Sequence, residues 1–344
     1  MLLVVVVGAV LYVMFLGNRP TQVDITGLLG GEKIGLFENQ EFKEQLKKEY
    51  NLSMDYRKDG SFNMVQGSTE GFDYLFPANQ LALELYEKLG REYTQQDIVL
   101  NTPIVLYSRK PAVDALMEQN IVTQNNGIYY VDMKLLAELI AEGTAWADIG
   151  LPELYGNVLV DTTDPNKSNS GNMFLGLLAN SLNDGQVVNK DTVDDVLSQI
   201  QKIYQQIGLM QSSSADMFNQ FLKQGIGAYP IIAGYENQLL EFSKQDPETY
   251  EQVKDEIIIL YPSPTVWSSH IYIALNEEAE LGLKALTSEN IQRIAWQEHG
   301  FRTITAGTGG VDSFNVAGVP EDITSVMPMP DIDTMQILMD SITH

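Results

Sequence analysis

The chain has 344 residues, with 46 Asp plus Glu against 21 Lys plus Arg, a formal net charge of −25, 44% hydrophobic residues and no cysteine. That length calls for two lobes or domains, and the hydrophobic share rules out wholesale disorder. Such acidity argues against nucleic acid as a partner, since phosphate recognition needs basic patches; the missing cysteine removes disulfides, thiolate catalysis, Cys-based zinc sites and a lipidated N-terminal Cys.

Residues 2–16 form an uncharged apolar run. It is long for a signal h-region and short for a spanning helix, which needs roughly 17–25 residues. No small-x-small cleavage pattern precedes Gly17-Asn18-Arg19-Pro20. Residues 1–17 therefore read as an uncleaved signal-anchor in preference to a cleaved signal peptide, which puts the protein outside the cytoplasm, tethered to the membrane by this segment. Residues 18–32 read as a linker. Short apolar strands then alternate with amphipathic helices: strand 33–37, helix 40–50, strands 52–57 and 72–76, helix 79–89 and strand 101–107. A second unit follows, with helix 132–142, strand 157–161, helices 172–182, 192–207 and 216–223, and strands 228–233 and 256–261. Strand 271–275 and helices 277–286 and 289–299 come next. The stretch 303–330 is rich in Gly, Thr and Pro and reads as extended, and 333–342 as a closing helix. This alternation predicts an α/β fold with a largely parallel sheet.

One loop stands out. Asp164-Pro165-Asn166-Lys167-Ser168-Asn169-Ser170-Gly171 leads from the expected strand at 157–161 into an apolar helix. Ser and Asn accept from the orphan N–H groups of a helix start, Gly lets a guest approach, and the helix dipole favours an anion there. A well-capped helix explains the same residues. Elsewhere the chemistry is sparse. Ser268 and Ser269 adjoin His270, but adjacent residues do not make a nucleophile–base pair, and no Gly-x-Ser-x-Gly elbow is present. His270, His299 and His344 share no helix face, Asp331 and Asp333 lack the rest of a calcium loop, and residues 305–310 lack the lysine of a P-loop. No catalytic residue, metal site or cofactor is expected.

The element order with these loops resembles the type II periplasmic binding proteins, the solute receptors of ABC importers, nearest to the molybdate/tungstate and related oxyanion branch. The Asp164-Pro165 pair with Ser168-Asn169-Ser170-Gly171 looks like that branch's second-lobe ligand loop. Ile271 to Leu275, then a helix, then Glu298-His299-Gly300-Phe301-Arg302 looks like the family's return to the first lobe. The likeness covers residues 33–302. It implies a two-lobed α/β fold with a hinge: 33–106 as the first part of lobe 1, 107–262 as lobe 2, 263–302 as the return, and 303–344 as a C-terminal extension. It also implies ligand contacts from Asn39, Gly60, Ser61, Ser168, Asn169, Ser170, Gly171, Ser214 (or its neighbour Ser213) and Tyr235, with Trp267 in a proline-rich hinge walling the cleft. The implied activity is capture of a small ligand, a tetrahedral oxyanion such as molybdate, tungstate, sulfate or phosphate, for delivery to an ABC permease, without catalysis. Glu38 departs from the branch's pattern, and Glu236 sits beside Tyr235. A carboxylate in the cleft repels an anion unless it is turned away or protonated. These two residues leave a cationic, zwitterionic or neutral solute as the alternative ligand; a fixed anchor with no lipid-bearing Cys leaves a sensor or interaction ectodomain of the same fold as the alternative role.

Overall fold

Strand formation begins earlier in the chain than the pattern predicts. In the computed structural model, which describes residues 22–304 and 310–343, β1 (Val23–Leu29) pairs in parallel with β2 (Leu52–Lys58) on one side and β3 (Tyr74–Phe76) on the other. The linker expected at 18–32 is thus corrected: most of its described part is a central strand. Gly27 interrupts the apolar pattern and mimics a tether, but a Cβ there would lie 2.4 Å from the Tyr74 ring, so close packing requires the glycine. The strand expected at 33–37 is likewise corrected. Gly31–Lys33 is a 3-10 turn that runs into helix α1 (Ile34–Glu38), with Leu36 and Phe37 buried. The signal-anchor reading falls on residues 1–17, outside the described residues; among the described ones, no helix is long and apolar enough to cross a membrane.

The fold is α/β, but its sheet is mixed. Helices α2 (Gln40–Tyr50), α3 (Ser61–Gln66) and α4 (Gln80–Lys88) alternate with the first three strands. β4 (Gln95–Arg109) is far longer than its apolar core suggests. After α5 (Lys110–Glu118) come the hairpin β5 (Val122–Asn125) and β6 (Ile128–Val131), and then α6 (Met133–Ala141). The stretch expected as strand 157–161 makes only isolated bridges at Asn157 and Asp161. Helices α7 (Asn169–Leu182), α8 (Val193–Ile207) and α9 (Ser214–Gln224) follow, then β7 (Ile231–Tyr235), α10 (Glu236–Gln245), α11 (Pro247–Val253) and β8 (Ile257–Pro262). The chain closes through β9 (Trp267–Ala274), α12 (Glu277–Leu286), α13 (Glu289–Gln297), β10 (Arg302–Thr303) and α14 (Ile332–Ile342).

The strands order as β2-β1-β3-β9-β4-β8-β6-β5, with β7 and β10 also on β4. β1–β2, β1–β3 and β6–β8 are parallel, whereas β4 pairs antiparallel with β9, β7, β8 and β10. β4 belongs to two sheets. Up to Pro103 it pairs with β9, and from Ile104 it pairs with β7 and then β8. The link between β8 and β9 provides the second crossing between the sheets. Each sheet has its own apolar core, one around Leu29, Phe37 and Phe76, the other around Trp146, Phe174 and Leu260. α7 runs through the second core with residues 169–181 all buried, which explains its near-continuous apolar sequence. The C-terminal extension completes that core: Met335, Leu338 and Ile342 of α14 are buried in it, and Val326 bridges Thr265 in the β8–β9 link.

Candidate functional site

A cleft of about 310 Å3 opens between the carboxyl ends of β1 and β2 and the starts of α7 and α9. Five of the residues read from the sequence, Gly60, Ser61, Ser168, Asn169 and Ser214, line it together although they lie far apart in the chain. Gly60 is where the two walls meet: a Cβ on it would stand 2.8 Å from the Lys167 carbonyl oxygen. The Ser61 hydroxyl accepts from the Ala78 N–H at 2.9 Å, which leaves its own proton for another acceptor. Ser168 is the N-cap of α7 but makes no side-chain capping bond, so the first N–H groups of that helix keep their capacity for a guest. On α9, Ser213 does cap, accepting from the Asp216 N–H at 3.4 Å.

The other four residues do not line the cleft. Asn39 caps α2, accepting from the Phe42 N–H at 3.1 Å, while its amide meets His299 Nε2 at 3.1 Å. The Ser170 hydroxyl lies 2.7 Å from that of Thr163 and 3.1 Å from that of Ser168, so it braces the loop from behind. Gly171 makes room for the protein's own backbone, since a Cβ would lie 2.1 Å from the Thr163 carbonyl oxygen. Tyr235 is buried beneath Asn169, its hydroxyl accepting from the Asn169 amide at 2.8 Å. Burial pushes that hydroxyl well above the ordinary tyrosine range, so it stays protonated. Trp267 lines a separate cavity of about 500 Å3 with Met173 and Met329, away from the cleft.

Glu38 and Glu236 are outside the cleft lining as well. Glu38 is solvent-exposed, pairs with Lys43 at 2.6 Å and accepts from the Tyr56 hydroxyl at 2.7 Å. Glu236 is fully buried and held by Arg302 at 2.6 and 2.9 Å. The carboxylates that do line the cleft are Glu32 and Asp59; of its two lysines, Lys58 reaches the Ser213 hydroxyl at 3.4 Å, whereas the Lys167 ammonium pairs with Asp164 at 2.9 Å.

Glu32 is neutralised from below. Its carboxylate accepts from Lys33, whose side chain is 0% exposed and lies over the Phe76 ring. Burial pulls the Lys33 ammonium down from its usual range, and Glu32 pulls it back up. The Lys33 ammonium also donates to His270 Nδ1 at 3.0 Å. Burial, and then Lys33, hold that imidazole well below its normal range. His270 is therefore neutral; with Nδ1 accepting, Nε2 carries the proton and faces the Ser268 hydroxyl at 3.4 Å. This cluster is invisible locally because His270 lies 237 positions from Lys33. Lys58 was equally inconspicuous as a single lysine ending a strand.

Asp161, just ahead of the 164–171 loop, carries a pH signature. Burial raises its carboxyl to about 6. An acid raised in the fold holds its proton there while the unfolded chain, near pKa ~3.9, has lost it. The cost of charging it is absent below about pH 4 and fully present above about pH 6. Asp161→Asn is expected to be more stable than the parent by on the order of 2 kcal/mol at pH 7.5 and indistinguishable from it at pH 3.5. Urea denaturation at both pH values checks this; equal gains at both would refute it.

No protein-family model and no curated protein sequence matches the chain. Solved structures do. It is similar to the substrate-binding protein of an ABC transporter from Agrobacterium tumefaciens, with a TM-score of 0.59 and 13% identity over 95% of this chain and 96% of that one. A periplasmic thiamin-binding protein gives 0.63 and 12% over 93% and 95%. The sulfate-binding protein SubI from Mycobacterium tuberculosis H37Rv gives 0.54 and 12% over 92% and 97%. The fold is that of the two-lobed ABC-transporter binding proteins. These three neighbours are all named as binding proteins. The cleft described above is lined on one side by residues that follow β1 and β2 and on the other by residues at the starts of α7 and α9.

Proposed function

We propose that the protein is an extracytoplasmic solute receptor that captures a small anion of the tetrahedral oxyanion type between its lobes and presents it to an ABC permease. The lobes divide within β4 at Pro103–Ile104, with residues 263–266 as the second hinge strand. The observation that carries this reading is the convergence of the free α7 start, the Ser61 and Ser168 hydroxyls and the Lys58 ammonium group on one cleft. Neutral donors and a helix start replace an anion's hydration shell, while of the cleft's two carboxylates Glu32 is answered by Lys33 and Asp59 accepts from the Gly60 N–H at 2.7 Å. A sulfate-binding neighbour of the same fold agrees with this chemistry. The role is capture and release by lobe motion, with no step of bond making.

The test is a thermal-shift screen of phosphate, sulfate, molybdate and tungstate against amino acids and polyamines. An oxyanion at about 100 times its Kd is expected to add ~2.7 kcal/mol of stability. Lys58→Met, which removes one cleft charge, is expected to weaken the hit by about 10-fold, roughly the worth of a partly desolvated charge-assisted contact. If only cationic or neutral solutes raise the melting temperature, the anion reading is wrong.

A further inference from the structure

The cleft does not end at its polar half. A second cavity of about 260 Å3 opens beside it, and the two share Gly31 and Glu32. The chemistry changes at that boundary. One side presents the serines and lysines described above; the other is walled by Ala215, Phe218, Leu222 and Phe242. α9 builds both. Ser214, at its first position, faces the polar half, while Ala215, Phe218 and Leu222 follow at helical spacing along the apolar one. Phe218 and Phe242 meet edge to face, with ring centroids 6.3 Å apart. Glu32 stands at the junction with its charge already answered by Lys33. At the far end Glu241 is engaged by His299 at 2.6 Å.

Ligand pockets that enclose a small organic molecule run to about 300–1,000 Å3 with mostly apolar walls and a few placed polar groups. The joined cavities have that character. A bare tetrahedral oxyanion fills a small part of the polar half and none of the apolar one. Resting on the anion reading above, we infer that the ligand is an amphipathic organic anion: a phosphate- or sulfonate-type head on the polar half, carrying one alkyl or aryl arm that lies along α9 toward Phe218 and Phe242.

Isothermal titration of the full chain with matched pairs tests this, using inorganic phosphate against phenyl phosphate and sulfate against benzenesulfonate. The arm-bearing member of a pair is expected to bind at least ~10-fold more tightly, the discrimination an apolar pocket gives for even one methylene. Ala215→Trp fills the apolar sector and is expected to abolish that advantage while changing the inorganic ion's affinity by no more than about 2-fold, a change too small to signal a lost contact. Leu222→Gln, half-buried and without added bulk, is expected to reduce phenyl phosphate affinity several-fold; it serves if the tryptophan variant does not fold. Equal or tighter binding of the inorganic ions overturns the inference and leaves the anion reading standing. An aryl advantage that survives both substitutions also overturns the placement of the arm. Failure of every anion, with or without an arm, removes the reading on which the inference rests.

Discussion

Arg302→Met is expected to destabilise the protein by about 3–5 kcal/mol, the range for removing one partner of a buried ion pair. Glu236 has no solvent exposure, and its carboxylate is satisfied by Arg302 Nε and Nη2 at 2.6 and 2.9 Å and by the Tyr261 hydroxyl at 2.7 Å. Methionine keeps the length of the side chain but strands the charge. The same guanidinium donates to the carbonyls of Pro320 and Glu321 at 2.7 Å, so its loss also frees the middle of the C-terminal extension. The double variant Glu236→Gln/Arg302→Met removes the stranded charge and is expected to recover part of the loss, which separates desolvation from packing. Guanidinium denaturation of the three forms measures this. A single-variant loss under about 1 kcal/mol, the value of a surface pair, would show that the ion pair is not buried in solution.

That ion pair shows how far the sequence can be read. Glu236 follows Tyr235, and nothing local tells whether it faces the ligand or the core; its partner comes from 66 positions away. The 164–171 loop was legible because its signals are local: a proline, a run of cap-forming residues and an apolar helix behind them. Which of those residues face the cleft was not. Ser168 and Asn169 do, whereas Ser170 and Gly171 fit against Thr163, a contact set by how the loop folds back on the residues just before it. β1 was missed for the same reason in reverse: its glycine looks like a tether until Tyr74 of β3 is placed against it. The antiparallel crossing at β4 was equally hidden, because an apolar stretch carries no mark of which neighbour it will pair with. Alternation of strand and helix identified the class of fold, and long-range pairing decided its topology.

Asn169→Ala is expected to act on shape as well as on affinity. Asn169 is 7% exposed and sits at the start of α7, the helix that runs through the second core. Its amide donates to the Ala78 carbonyl at 3.1 Å, the Tyr235 hydroxyl at 2.8 Å and the Ser268 hydroxyl at 3.3 Å, and its oxygen accepts from Asn79. Ala78, Asn79 and Ser268 flank the first sheet, whereas Tyr235 ends β7 of the second. One side chain therefore ties residues beside the two sheets together at the wall of the cleft, and on the proposed reading it stitches the two lobes. Alanine leaves several of these buried groups unpaired, at about 1–3 kcal/mol each before relaxation, so a net loss near 3 kcal/mol is expected. Because most of those bonds exist only when the lobes are together, the loss falls on the closed form, and ligand affinity drops by the fraction of molecules no longer poised to bind. Small-angle scattering of the ligand-free variant is expected to give a larger radius of gyration than the parent, converging with it when ligand saturates the site. A variant that loses affinity with no change in radius, free or bound, would make Asn169 a ligand contact instead of the latch between the lobes.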